Sequence, residues 1–117
     1  MILIKSDKIF AGLVENSFHS ILVEMTLDAC KLFHRISFIP VITSAYREND
    51  SGVHGYYRGI DFRSRSMSQS SIFDICEKIN NRYQYDPDRP EKECLIYHDT
   101  GRGPHLHLQS HPNTKRR

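Results

Sequence analysis

The stretch PHLHLQ, from Pro104 to Gln109, alternates polar and apolar residues. Side chains along a strand point to opposite faces in turn, so His105 and His107 share one face and Leu106 and Leu108 the other. With His98 and His111, they make four histidines in the last twenty residues. Upstream, VHGYYRGID sets His54 and Asp61 seven residues apart, where a loop residue and the next strand's carboxylate can converge. Imidazole nitrogen and carboxylate oxygen both bind zinc, at about 2.0–2.2 Å. His54, Asp61 and one histidine of the terminal pair make three ligands. A catalytic zinc site takes three from the protein and leaves one position for water. The chemistry that such residues point to is metal-assisted hydrolysis.

More of the chain than the ligands has a counterpart. TSAYRENDSGVHGYYRGIDFR, followed by GPHLHLQ, resembles the M15-type zinc peptidases. These include the D-alanyl-D-alanine peptidases, the phage L-alanyl-D-glutamate endolysins and relatives with the hedgehog signalling-domain fold. That family carries an S-G-Y-R-like strand end, then S-x-H-x-x-G-x-A-x-D, then a helix, then a terminal strand with H-x-H or E-x-x-H. The likeness runs in the same order over roughly residues 41–110. It implies a hedgehog/DD-peptidase-like fold and a zinc ion held by His54, Asp61 and His107. It also implies a place for His105 beside the metal, hydrogen-bonding its water or polarising the substrate carbonyl. Arg47 would match the arginine that grips a substrate carboxylate, which a guanidinium does in bidentate fashion. The implied substrate is an amide bond in bacterial peptidoglycan stem peptides, and the implied source is a phage or prophage.

The chain departs from that pattern in places. Tyr57 and Gly59 stand where the family has Gly and Ala, and Tyr57 suggests a differently shaped loop. The family places a Glu or Asp shortly before the last histidine as general base. Three residues before His107 stands Pro104, and three before His105 stands Arg102. The remaining candidates lie in IYHDTG: His98, which continues a strand, and Asp99. A neutral imidazole can take a proton near pH 7, and His98 is the preferred base. Without a working base, the same site would be a zinc-stabilised peptide-binding module. A metal-dependent nuclease is a third reading, against which stand the weak charge and the lack of interleaved aromatic and basic residues.

The elements that must position these residues are legible as periods. NSFHSILVEMTLDACKLFHRI repeats Phe18, Ile21, Leu22, Met25, Ala29, Leu32, Phe33 and Ile36 at helical steps, with Asn16 or Ser17 as cap. His19 and His34 fall on or near its polar side. FIPVITSAY reads as a strand that starts at Pro40 or lies at an edge. RENDSGVHGYY is a loop, and RGIDFR is a short strand with Asp61 at its centre. SQSSIFDICEKINNRY is a second helix, with Ser71 and Asp74 resembling a capping box. CLIYH and HLHLQ read as strands joined by the turn DTGRGP. Helix, strands, helix, strands predicts an α+β fold, a small antiparallel sheet with helices on one side.

The totals suit this. At 117 residues the chain is one domain, read as 1–110 with a flexible basic tail at 111–117. Its formal charge of +2 gives no argument for nucleic acid. Cys30, Cys76 and Cys94 lie at apolar positions without any CxxC, which reads as buried, reduced thiols. MILIKSDKIF is neither a signal peptide nor a membrane span, so the expectation is a monomer, cytoplasmic at synthesis. To reach a cell wall it would need release by other means or carriage in a phage particle.

Overall fold

The computed structural model describes every residue except Glu48 and Arg102, and every side chain except those two and Val14 and Glu15. The chain runs β1 (Leu3–Ile4), α1 (Asp7–Glu15), α2 (Ser20–Arg35), β2 (Val41–Ser44), a 3-10 turn (Val53–Tyr56), β3 (Gly59–Arg63), α3 (Gln69–Arg82), β4 (Tyr83–Gln84), β5 (Leu95–Asp99), β6 (Pro104–Gln109) and β7 (Lys115–Arg116). This is an α+β domain, as the periods predict. A five-stranded sheet has the order β1-β2-β3-β6-β5, and β4 and β7 form a separate ribbon. The sheet is mixed rather than antiparallel throughout, because β1 pairs with β2 in parallel.

Alternation along the strands divides the sheet into two faces. Ile60 pairs with Leu108 and Phe62 with Leu106, and these four join Leu22, Met25, Phe33, Ile75 and Ile79 in one core under α2 and α3. The Phe33 and Phe62 rings meet at 5.4 Å. The opposite face carries Asp61 against His107 and Arg63 against His105. β5 adds His98 beside His105 on that face. A one-residue slip would send these polar groups into the core, so burial of the leucines sets the register that faces the histidines together.

Boundaries differ from expectation where short-range bonds decide them. α1 has no counterpart in the sequence reading; Ser6 caps it by accepting from the Ile9 amide. Asn16 closes that helix, donating to the Gly12 carbonyl at 2.7 Å, instead of opening α2, whose cap position is His19. Ile36 lies beyond α2 and is exposed. α3 is capped by Ser68, and Asp74 pairs with Lys78 rather than closing a box with Ser71. Asn80 joins α3 to β5: its Oδ1 accepts from the Cys94 and Leu95 amides, and its Nδ2 donates to the Leu95 carbonyl.

Residues 111–117, expected to be frayed, are docked. Lys115 and Arg116 pair with Gln84 and Tyr83, Thr114 donates to the Tyr85 carbonyl, and Arg116 meets Glu24 on α2. Backbone groups at the end of α3 need partners, and the tail supplies them. Cys30 and Cys94 are buried, Cys76 partly so, and all three are free thiols. Among the described residues, no helix is long and apolar enough to cross a membrane.

Candidate metal centre

The sheet brings Asp61 and His107 face to face in the β3–β6 register, and a turn delivers the third group. Val53–Tyr56 winds into a 3-10 turn that lays His54 over the start of β3. Two glycines permit this. A Cβ on Gly55 would lie 1.8 Å from the Asp50 carbonyl oxygen, and one on Gly59 would meet the Val53 side chain at 2.7 Å. Tyr57 closes the turn at φ 59°, a left-handed conformation that costs a non-glycine residue roughly 1 kcal/mol. Its ring stacks on Tyr46 at 4.5 Å and meets the Phe18 edge-on at 5.7 Å, which offsets that cost. The loop thus takes a glycine's backbone at a tyrosine.

His54, Asp61 and His107 are buried, and their ligand atoms lie within 4.8 Å of one another. His54 Nε2 is 3.2 Å from Asp61 Oδ1, and His107 Nδ1 is 2.7 Å from the same oxygen. The far side of each ring decides which nitrogen holds its proton. His54 Nδ1 donates to the Ala45 carbonyl at 2.6 Å. His107 Nε2 lies 3.1 Å from Gln109 Oε1. That amide is itself oriented, since its Nε2 donates to the Glu93 carbonyl at 2.9 Å. In the neutral rings both inward nitrogens therefore carry lone pairs aimed at a carboxylate. Such lone pairs repel unless a proton or a cation lies between them. A cation at about 2.0–2.2 Å from tetrahedral donors needs them roughly 3.3–3.6 Å apart, so the 2.7 Å His107–Asp61 contact must open by about 0.6–0.9 Å to admit one, and the 3.2 Å His54–Asp61 contact by less. Acceptors behind both histidines are the usual support of metal ligands. The group can hold a metal ion.

With no metal bound and both rings doubly protonated, burial pushes the Asp61 carboxyl up, but hydrogen bonds from His107 and His54, then their charge, outweigh this and hold it well below the usual carboxylate range. Its second oxygen faces outward, with Arg47 Nη2 at 3.6 Å and His105 Nε2 at 3.7 Å. Arg47 also approaches Asp50 at 3.6 Å and is nearly half exposed.

The other expected residues divide. His98 stacks on His107 with ring centres 4.9 Å apart, and its Nε2 is 3.1 Å from His105 Nε2. His105 Nδ1 donates to the Gly103 carbonyl, so its Nε2 is the acceptor in that pair. Burial, then the neighbouring His107 and His105, push the pKa of His98 down, which favours its neutral form. Asp99 is not brought to the group. It is exposed, and its Oδ1 accepts from the Gly101 and Gly103 amides at 2.8 and 3.0 Å, bracing the β5–β6 turn. His111 lies apart, 3.7 Å from Asp86. The sequence reading passed over Gln109, although it lies two residues from His107 on the same strand face. It also passed over Ala45, which acts through its backbone and leaves no trace in residue type.

Asp61, His105 and Arg47 line an open cleft of about 560 Å³ that extends past Arg63 and Arg65 to Lys5. Compared with known families, curated proteins and solved structures, the chain matches none.

Proposed function

We propose that the protein is a zinc-dependent peptidase that hydrolyses an amide bond in bacterial cell-wall peptides. The observation that carries this reading is the buried His54–Asp61–His107 group, whose three lone pairs converge beside an open cleft. Two nitrogens and one oxygen suit zinc, and the M15-type motifs hold the same residues in the same order. Bound there, zinc would polarise the scissile carbonyl and make water a nucleophile at neutral pH. Asp61 and the two histidines hold their ligand atoms from rigid neighbours. Arg47 would take a substrate carboxylate in exchange for its loose contacts with Asp50 and Asp61, which supports the reading. His98, neutral and on β5, is the base: its Nε2–H is given to His105 Nε2, which orients the ring, so the proton is taken on Nδ1. The product amine then receives that proton.

The experiment is a metal count and a cleavage assay. Purified full-length protein should carry about one zinc per chain, as a three-ligand site does. Incubated with synthetic stem peptides, it should release fragments visible by mass spectrometry. Zinc-loaded protein that cleaves no stem peptide would overturn the catalytic reading. One observation favours a peptide-binding module in that event. Asp99 is tied into its turn, and among the described residues Asp61 is the one carboxylate that lines the cleft.

A further inference from the structure

The cleft beside the metal group is lined by Lys5, Arg47, Arg63 and Arg65 and by one carboxylate, Asp61. Arg47 is shared between Asp50 and Asp61. Lys5, Arg63 and Arg65 meet no carboxylate among the described residues, although acids pair with other cations elsewhere on the surface. Two separate stretches of backbone converge to place them. Lys5 follows β1 directly, and its amide donates to the Ile42 carbonyl. Arg63 lies two residues past Asp61 on the same sheet face and opposite His105. Arg65 follows the strand. Among the described residues the cleft sets four cations against the single carboxylate of Asp61, and an anionic ligand would relieve that excess of like charge. Guanidinium forks give such a ligand paired, planar hydrogen bonds.

We propose that this end of the cleft is a second anion subsite, which takes a side-chain carboxylate of an acidic peptide while Arg47 takes another carboxylate nearer the metal. A peptide is favoured over a polyphosphate because the overall charge is only +2 and the cleft gathers just four of the sixteen Lys and Arg residues. The inference rests on the peptidase reading for its choice of ligand, and binding tests it apart from cleavage. The probes are two fluorescent tetrapeptides that differ only in one glutamate or glutamine, both with a free C-terminal carboxylate. Zinc-loaded full-length protein is titrated by anisotropy, with mass spectrometry showing that the peptide is intact when read.

The glutamyl peptide should bind about tenfold more tightly at low salt, the worth of one well-placed charge-assisted pair. That preference should shrink in 0.5 M NaCl. Arg65→Gln and Lys5→Gln, both at exposed positions, should each remove part of the preference, leaving affinity for the glutaminyl peptide and zinc content unchanged. Equal affinity for the two peptides would overturn the subsite. So would tighter binding of a single-stranded oligonucleotide than of the glutamyl peptide. A glutamyl preference without cleavage supports the subsite and counts against the peptidase. Cleavage without a preference does the reverse.

Discussion

Gln109 holds His107 through one amide oxygen, and the Glu93 carbonyl fixes which way that amide faces. Gln109→Leu removes the acceptor and leaves His107 free to change tautomer, so zinc affinity should fall by about 10–100-fold. Competition with a calibrated chelator measures this, and unchanged affinity would show that the amide is dispensable. His54→Ala should abolish stoichiometric zinc altogether, because two ligands remain. His98→Ala should keep zinc and fold but lose about two to four orders of magnitude in kcat/KM, the range for removal of a general base. Asp99→Asn should do little to the rate, since its carboxylate serves the turn. The opposite pattern, with Asp99 essential, would return the proton transfer to a carboxylate and require the turn to open.

At the scale of elements, the site depends on a turn and a bolt. Gly55→Ala forces the Val53–Tyr56 turn off the Asp50 carbonyl and should cost metal binding while the helical circular dichroism holds. Asn80→Leu leaves the Cys94 and Leu95 amides without their acceptor and should destabilise the protein by about 2 kcal/mol in urea unfolding. The strands carrying Asp61 and His107 were legible because alternation marks both their existence and their facing sides. α2 and α3 were legible from apolar stripes, although their first residues were misplaced: caps depend on which hydroxyl or amide folds back. α1 and the strands of two residues were not legible, since pieces that short hold no period and form only against partners distant in sequence. The ligand trio was visible as residue types. Its orientation was not, because it hangs on a backbone carbonyl and on an amide whose direction is set by Glu93.

For the whole molecule, one core and a docked tail bury Cys30 and Cys94 and partly cover Cys76. Burial pushes Cys30 and Cys76 up to about 11 and Cys94 up to about 12, so an aromatic disulfide reagent at pH 8 should titrate none of them until guanidinium unfolds the chain. Stability should also fall with acid. Burial, the Arg58 charge and His111 push His19 below its ordinary 6.5, so the unfolded chain takes up that proton more readily. Its contribution is therefore intact above about pH 6.5 and lost as pH falls below it. Melting temperature in EDTA should drop between pH 7.5 and 5.5, and drop less in His19→Gln. An equal drop in the variant would clear His19. The parallel pairing of β1 has a different consequence. Two amides, Leu3 to Pro40 and Lys5 to Ile42, tie this edge strand to the sheet, whereas β3 and β6 are flanked on both sides. Deuterium should therefore enter at Leu3 and Lys5 long before it reaches Asp61 or His107, through an opening that leaves the rest folded. A ligand that engages Lys5 would have to be released before that edge could peel, so slowed exchange at those two positions becomes a reporter of occupancy that needs neither turnover nor metal.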